Sequence, residues 1–289
     1  MILVLISVVV IGLFYFCWRL LRSDKAEILQ VPQRWKEILQ EKVHFYQNLD
    51  DPQKAQFESD LKNFLSDVGI SGVQTKVTLT DRLLVASSAV IPLFGFPAWT
   101  YSHLDEVLLY PSSFDRNFNI GSQEEIITGM VGSGAMEGKV ILSKPALHSG
   151  FEMTTDKRNV GIHEFVHLFD KEDGVIDGIP PGFNDNTHSI PWLGLIKKKT
   201  DEIRRRKNGI NEYAAYNQKE FFAVAAEYFF ETPHLLKSKE PALYEMLSRI
   251  FHQDPHLTID MESYKIPTTI SRNAPCPCGS GVKFKKCCL

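Results

Sequence analysis

The pentapeptide His163-Glu164-Phe165-Val166-His167, inside the stretch Asn159 to Gly174, constrains this chain more than any other feature. On a helix, residues four apart lie one above the other, so His163 and His167 project from one face and can grip a single cation. Glu164 points aside, where its carboxylate can take a proton from a water instead of binding the metal. Phe165 and Val166 within the motif, and Val160 and Ile162 before it, are apolar, which predicts a buried helix. Three ionisable groups on a buried helix need compensation, and a zinc ion supplies it.

The chain has 289 residues, 44% of them hydrophobic and 23% charged, enough for a sizeable globular core. A net charge of -3 offers no footprint for nucleic acid, so direct nucleic-acid binding is not expected. Residues Ile2 to Trp18 carry no charge and are followed by Arg19, Arg22 and Lys25. That pattern predicts one transmembrane helix. Its C-terminal basic flank predicts a single-pass inner-membrane protein whose remainder faces the cytoplasm. Cys17 lies in this segment and the other four cysteines lie in the last fourteen residues, so no disulfide framework is expected.

Between Ala26 and Ile70, apolar residues recur at three- and four-residue steps and predict two or three amphipathic helices. "LLVASSAVIPLFGF" reads as a helix, while "EVLLYPSSF" and "GKVILS" read as strands. The segment from Asp170 to Asn186 is rich in Gly, Pro, Asp and Asn and reads as loop. "LIKKKTDEIRRRKNG" looks like a solvated helix face, and "NQKEFFAVAAEYFFETP" like a helix apolar on nearly every side, capped by Asn217 and stopped at Pro233.

A catalytic zinc site usually takes three protein ligands. Glu220 and Glu227 are the strongest candidates for the third, because seven residues place them on one face of the apolar helix. Glu220 could instead complete a capping box with Asn217, and Glu227 could hold the outer nitrogen of a histidine ligand. Spacing does not choose between them.

The residues "IPLFGFP", "VLLYPSSF", "VILS", "NVGIHEFVHLFDKEDGVIDGIP" and "YAAYNQKEFFAVAAEYFF", in this order, resemble the Mlc titration factor A family of zinc metallopeptidases. That family is similar to the catalytic domain of anthrax lethal factor, in which a functional tyrosine precedes the ligand glutamate by seven residues. The resemblance implies metal ligands His163, His167 and Glu220, a general base at Glu164, a functional tyrosine at Tyr213 and an outer-shell role for Glu227. The fold it implies is α+β and zincin-like, a mostly helical peptidase domain with a small sheet. Two positions depart from the family's habit, Phe169 before Asp170 and Met136, and neither is a proposed ligand. The expected chemistry is peptide-bond hydrolysis, with Glu164 assisting the attack of a zinc-bound water. "GKVILS" is the expected edge strand for an extended peptide substrate. A second reading, which the family name suggests, is a regulatory protein that sequesters a transcriptional repressor.

The last residues, "NAPCPCGSGVKFKKCCL", place Cys276 and Cys278 ahead of the pair Cys287 and Cys288, with eight residues between Cys278 and Cys287. Four thiolates around a Gly-Ser-Gly turn can close on one structural zinc. The stretch resembles the SEC-C motif, found at the end of a bacterial translocation ATPase, which implies a protein partner. The expected organisation is thus an anchor over 1–22, a peptidase domain over 23–265 and a zinc-binding tail over 266–289. Two Zn2+ ions are expected, one catalytic and one structural.

Overall fold

Helix starts in this chain are written in side chains. In the computed structural model, which describes residues 31–97, 99–122, 125–153, 156–183, 186–205 and 210–255, two amphipathic stretches form α1 (Gln33–Lys42) and the short α2 (His44–Gln47). A capping box of Asp50 and Gln53 then opens α3 (Asp51–Asp67). Thr78 and Asp81 form a second capping box, which opens α4 (Leu79–Leu93). Lys144 and His148 hold the buried Asp81 carboxylate at 2.8 and 2.7 Å. Every residue of α4 from Leu83 to Leu93 is buried, so this helix is central to the core.

Four short strands form one mixed sheet in the order β1 (Gly69–Gly72), β2 (Glu106–Tyr110), β4 (Lys139–Ser143), β3 (Gly129–Val131). The first two pairings are parallel, with α4 lying between β1 and β2 in sequence as a parallel connection requires. Strand β3 pairs antiparallel with β4 and closes one side. Val107, Leu109, Val140, Ile141 and Leu142 are fully buried, as expected of strands covered on both faces.

Helix α5 (Lys144–Glu152) leads into α6 (Val160–Asp170), which carries the histidine pair. Beyond α6 come α7 (Asn186–Arg204), α8 (Gln218–Glu231), α9 (Pro233–Lys239) and α10 (Pro241–Phe251). Helix α6 packs between α4 and α8 and also touches β3 and β4. The approach to α4 is close because Gly161 has no side chain: a Cβ there would lie 2.0 Å from the Ser88 hydroxyl. On the other flank, α8 is buried from Glu220 through Phe230. The molecule is therefore α+β, mostly helical with a small mixed sheet.

Two expectations are corrected. "GKVILS" is not the sheet edge: it forms β4, paired on one side with β2 and on the other with β3, and the edge strand beside it is Gly129–Val131. The expectation of a single-pass inner-membrane location with the catalytic domain facing the cytoplasm is also overturned, since among the described residues no helix is long and apolar enough to cross a membrane. The apolar helices α4, α6 and α8 have 15, 11 and 14 residues and bury their surface in the protein core, whereas a bilayer span takes about 20. Helix α7 has 19 residues but carries Lys197, Lys198 and Lys199 in one run. The Ile2–Trp18 segment on which that expectation rested, and the tail cysteines Cys276, Cys278, Cys287 and Cys288, lie outside the described residues.

Candidate metal centre

The first turn of α6 is set by Asn159, whose side chain accepts from the Ile162 amide and donates to the Gly150 carbonyl. Its own backbone amide donates to Glu227 at 2.6 Å. One residue thus ties α5, α6 and α8 together just before the histidines. At the start of α8, the Asn217 side chain accepts from the Glu220 amide, which is the cap read from sequence. The Glu220 carboxylate does not turn back to that cap. It reaches across to α6, with Oε2 3.1 Å from His163 Nε2 and 3.4 Å from His167 Nε2.

His163, His167 and Glu220 are the one group of three or more such side chains, among the described residues, arranged to hold a metal, with their ligand atoms within 4.8 Å of one another. Two turns along α8 from Glu220, Glu227 takes the other side of the first imidazole, its Oε1 2.7 Å from His163 Nδ1. His163 therefore lies between two carboxylates with both ring nitrogens engaged, and the His167 ring stands edge-on to it at 4.8 Å. Tyr213 sits in the short 3-10 turn Glu212–Ala215, half exposed, with its ring 6.1 Å from that of His163.

Burial opposes charge at every one of these groups, and the neighbours decide the outcome. It pushes Glu164 up to about 7, helped by Glu220 and Glu227 and resisted by His163. Burial also disfavours protonated His163, but Glu227, Glu220 and Glu164 hold its pKa well above the ordinary histidine range. Glu220 goes the other way: hydrogen bonds from the two histidines overcome its burial and hold it far below the usual carboxylate range. His167 is lowered, mainly by burial. Burial, with Glu220 and Glu164 facing the ring, pushes Tyr213 up to about 12.

This donor set fits a divalent cation. Three buried glutamates surround two imidazoles, and among the described residues no lysine or arginine forms an ion pair with any of the three. A proton on His163 is a partial answer to that charge, and a divalent cation held by His163, His167 and Glu220 would answer more of it.

Sequence reasoning did not single out the edge strand's role. The Val131 amide faces the Glu164 carboxylate and favours its charged form against burial. Gly129 makes room for that carboxylate, since a Cβ there would lie 2.6 Å from Glu164 Oε1 and 2.5 Å from a Val160 methyl. A glycine inside a strand is the available signal, but "GMV" is too short to be read as a strand. Asp170 also went unassigned. It is fully buried at the end of α6, accepts from the Gly178 amide at 2.8 Å, and leaves its other oxygen without a partner among the described residues.

Comparison with known proteins agrees with this geometry. The family model for the glucose-regulated metallo-peptidase M90 matches residues 18–252, and the SEC-C motif matches residues 272–289. Mlc titration factor A of Yersinia pestis is 25% identical over 248 residues, covering 81% of this chain and 88% of that protein. The protein of the same name from Serratia proteamaculans is 28% identical over 201 residues, covering 64% and 71%. A protein of Synechocystis sp. is 27% identical over 239 residues, covering 78% and 86%. With a match running through both helices of the candidate centre and most of the chain, the chain belongs to the glucose-regulated metallo-peptidase M90 family.

Proposed function

We propose that this metallopeptidase is zinc-dependent and hydrolyses peptide bonds, with His163, His167 and Glu220 as the metal ligands and Glu164 as the general base. The observation that carries the reading is the convergence of two imidazoles and one carboxylate from two helices, beside a second carboxylate whose pKa lies near neutrality. Two nitrogens and one oxygen suit zinc in an open catalytic site. When bound, the ion would supply Lewis acidity toward a carbonyl and lower the pKa of a water.

The chain's own groups do the rest. Glu164, near pKa 7, takes a proton from the attacking water and returns it to the leaving amine. Glu227 accepts from His163 Nδ1, which fixes the tautomer and aims Nε2 at the cation. Tyr213, protonated and half exposed beside Glu220, donates to the oxygen that gains charge at the scissile carbonyl. The edge strand orders the substrate. Backbone bonds from Ser143 to Thr128 and from Gly132 to Lys139 point inward, so by strand alternation the amides of Gly129 and Val131 point outward, and that of Val131 faces Glu164. An extended peptide pairing there passes the base. A zincin-like fold, as in the lethal factor catalytic domain, is supported by this histidine helix packed against a mixed sheet with its edge strand alongside. The domain limits that go with this reading are 23–265 for the peptidase and 266–289 for a structural zinc tail.

Two relatives are named for titrating Mlc, which favours a second reading in which this chain sequesters a regulatory protein. Glu164→Gln separates the two. The variant should keep its metal and lose about 10²–10⁴-fold in turnover of a peptide mixture followed by mass spectrometry. Full turnover with metal retained would remove Glu164 from the mechanism.

A further inference from the structure

Away from the metal centre, α3, α4 and the segment from Phe96 to Leu104 enclose a cavity of about 130 Å³. Its wall is apolar and aromatic, with Phe64, Leu93, Phe96, Trp99 and Tyr101, and Asp60 and Asp67 add two carboxylates from α3. A cavity of roughly 150 Å³ holds one benzene-sized group. The space therefore fits a single aromatic side chain, and the carboxylates favour one with cationic neighbours.

The described chain ends beside this cavity. Gln253 Nε2 donates to the carbonyls of Ile91 and Pro92 at the end of α4, and the His252 ring lies 4.4 Å from Phe96. Gly95 permits the approach: a Cβ there would lie 2.2 Å from the Phe251 carbonyl oxygen. Two aromatic residues follow Pro255, Tyr264 and Phe284, and only Phe284 is flanked on both sides by lysine, Lys283 and Lys285. Twenty residues separate Pro255 from Cys276, and a stretch of that length can reach at most about 70 Å, so a tail tethered beside the cavity has the length to meet it.

We infer that the C-terminal SEC-C tail docks on its own peptidase body, with the Phe284 ring in this cavity and Lys283 and Lys285 against Asp60 and Asp67. The lysine that faces Asp67 also meets the carbonyl end of α3, where a helix dipole favours positive charge. The docked ring touches the support of the metal centre, because Phe64 and Tyr101 pack at 5.7 and 5.3 Å on Phe165, between Glu164 and His167. Tail and metal-binding helix thus share a wall.

Hydrogen exchange on the full, metal-loaded chain tests the docking. Phe284→Ala should raise exchange at Trp99–Leu104 by about tenfold. Asp60→Lys with Asp67→Lys should do the same while leaving the tail untouched, and adding Lys283→Asp with Lys285→Asp to that variant should restore protection. Unchanged exchange in Phe284→Ala, or no recovery on charge exchange, overturns the proposal. So does protection that depends on protein concentration, which means a second copy fills the cavity. Protection lost on deleting residues 2–18 but kept in Phe284→Ala assigns the cavity to the N-terminal apolar segment and equally overturns it.

Discussion

Glu220 and Glu227 share a helix face, a carboxylate and a histidine partner, yet their surroundings divide their work. Glu220 lies within reach of Nε2 of both histidines, the position that the proposed ligand oxygen needs. Glu227 meets only Nδ1 of His163 and is also committed to the Asn159 amide. Glu220→Gln should strip the catalytic metal, because a neutral amide replaces an anionic oxygen. Glu227→Gln should weaken metal binding by only about 10–100-fold, the usual cost of an outer-shell partner. Metal content after dialysis against graded chelator checks both, and the reverse order would exchange their roles. Chain spacing left this choice open because residues seven apart on one helix are equivalent until something is packed against them.

Helices α6 and α8 carry the three side chains of the candidate metal centre, so their separation sets its geometry. A brace links their ends. Asp170, closing α6, accepts from Gly178, whose carbonyl accepts from Trp192 Nε1 at 2.6 Å. Gly178, at φ +84°, lies so close to the first turn of α8 that a Cβ would sit 2.6 Å from the Gln218 carbonyl carbon. Burial, with Asp177 and Asp173 nearby, pushes Asp170 up to about 7 despite the Gly178 amide. An unfolded aspartate titrates near about 3.9, so the fold favours the protonated form. Its stabilisation is complete below about pH 4 and is lost as pH rises through about 7. Asp170→Asn keeps an acceptor for Gly178 and cannot ionise. Thermal melts should show it matching the parent below about pH 4 and melting a few degrees higher at pH 8; parallel curves across that range would mean that Asp170 stays charged in the fold.

At the scale of the whole molecule, the M90 match and the SEC-C match occupy separate stretches, 18–252 and 272–289, and each has its own donor set. The first combines nitrogen and oxygen in the candidate centre, and the second contains four cysteines, which on the proposed reading would close on one structural ion. Replacing Cys276 and Cys278 by serine should lower the bound metal by one ion per chain, measured by elemental analysis, while peptide hydrolysis persists. Loss of hydrolysis from a folded variant would tie the tail to catalysis. A parent chain with a single metal would leave the tail without one.

What the sequence determined by itself is local. The histidine pair and its glutamate lie on one helix because their spacing matches the helical repeat. The Asn217 cap and the Pro233 stop bound α8, and the two longer apolar runs form β2 and β4. Each of these depends on neighbours within a few residues. The tertiary structure alone decided what crosses long stretches of chain. It brought Glu220 to His163 across 57 residues and left β3 instead of β4 at the sheet edge. It also turned the Val131 amide toward Glu164. Strand order and helix spacing come from close packing of whole faces, which glycines at 129 and 161 allow by leaving out a side chain. Periodicity records which face is apolar, but not which other face will cover it.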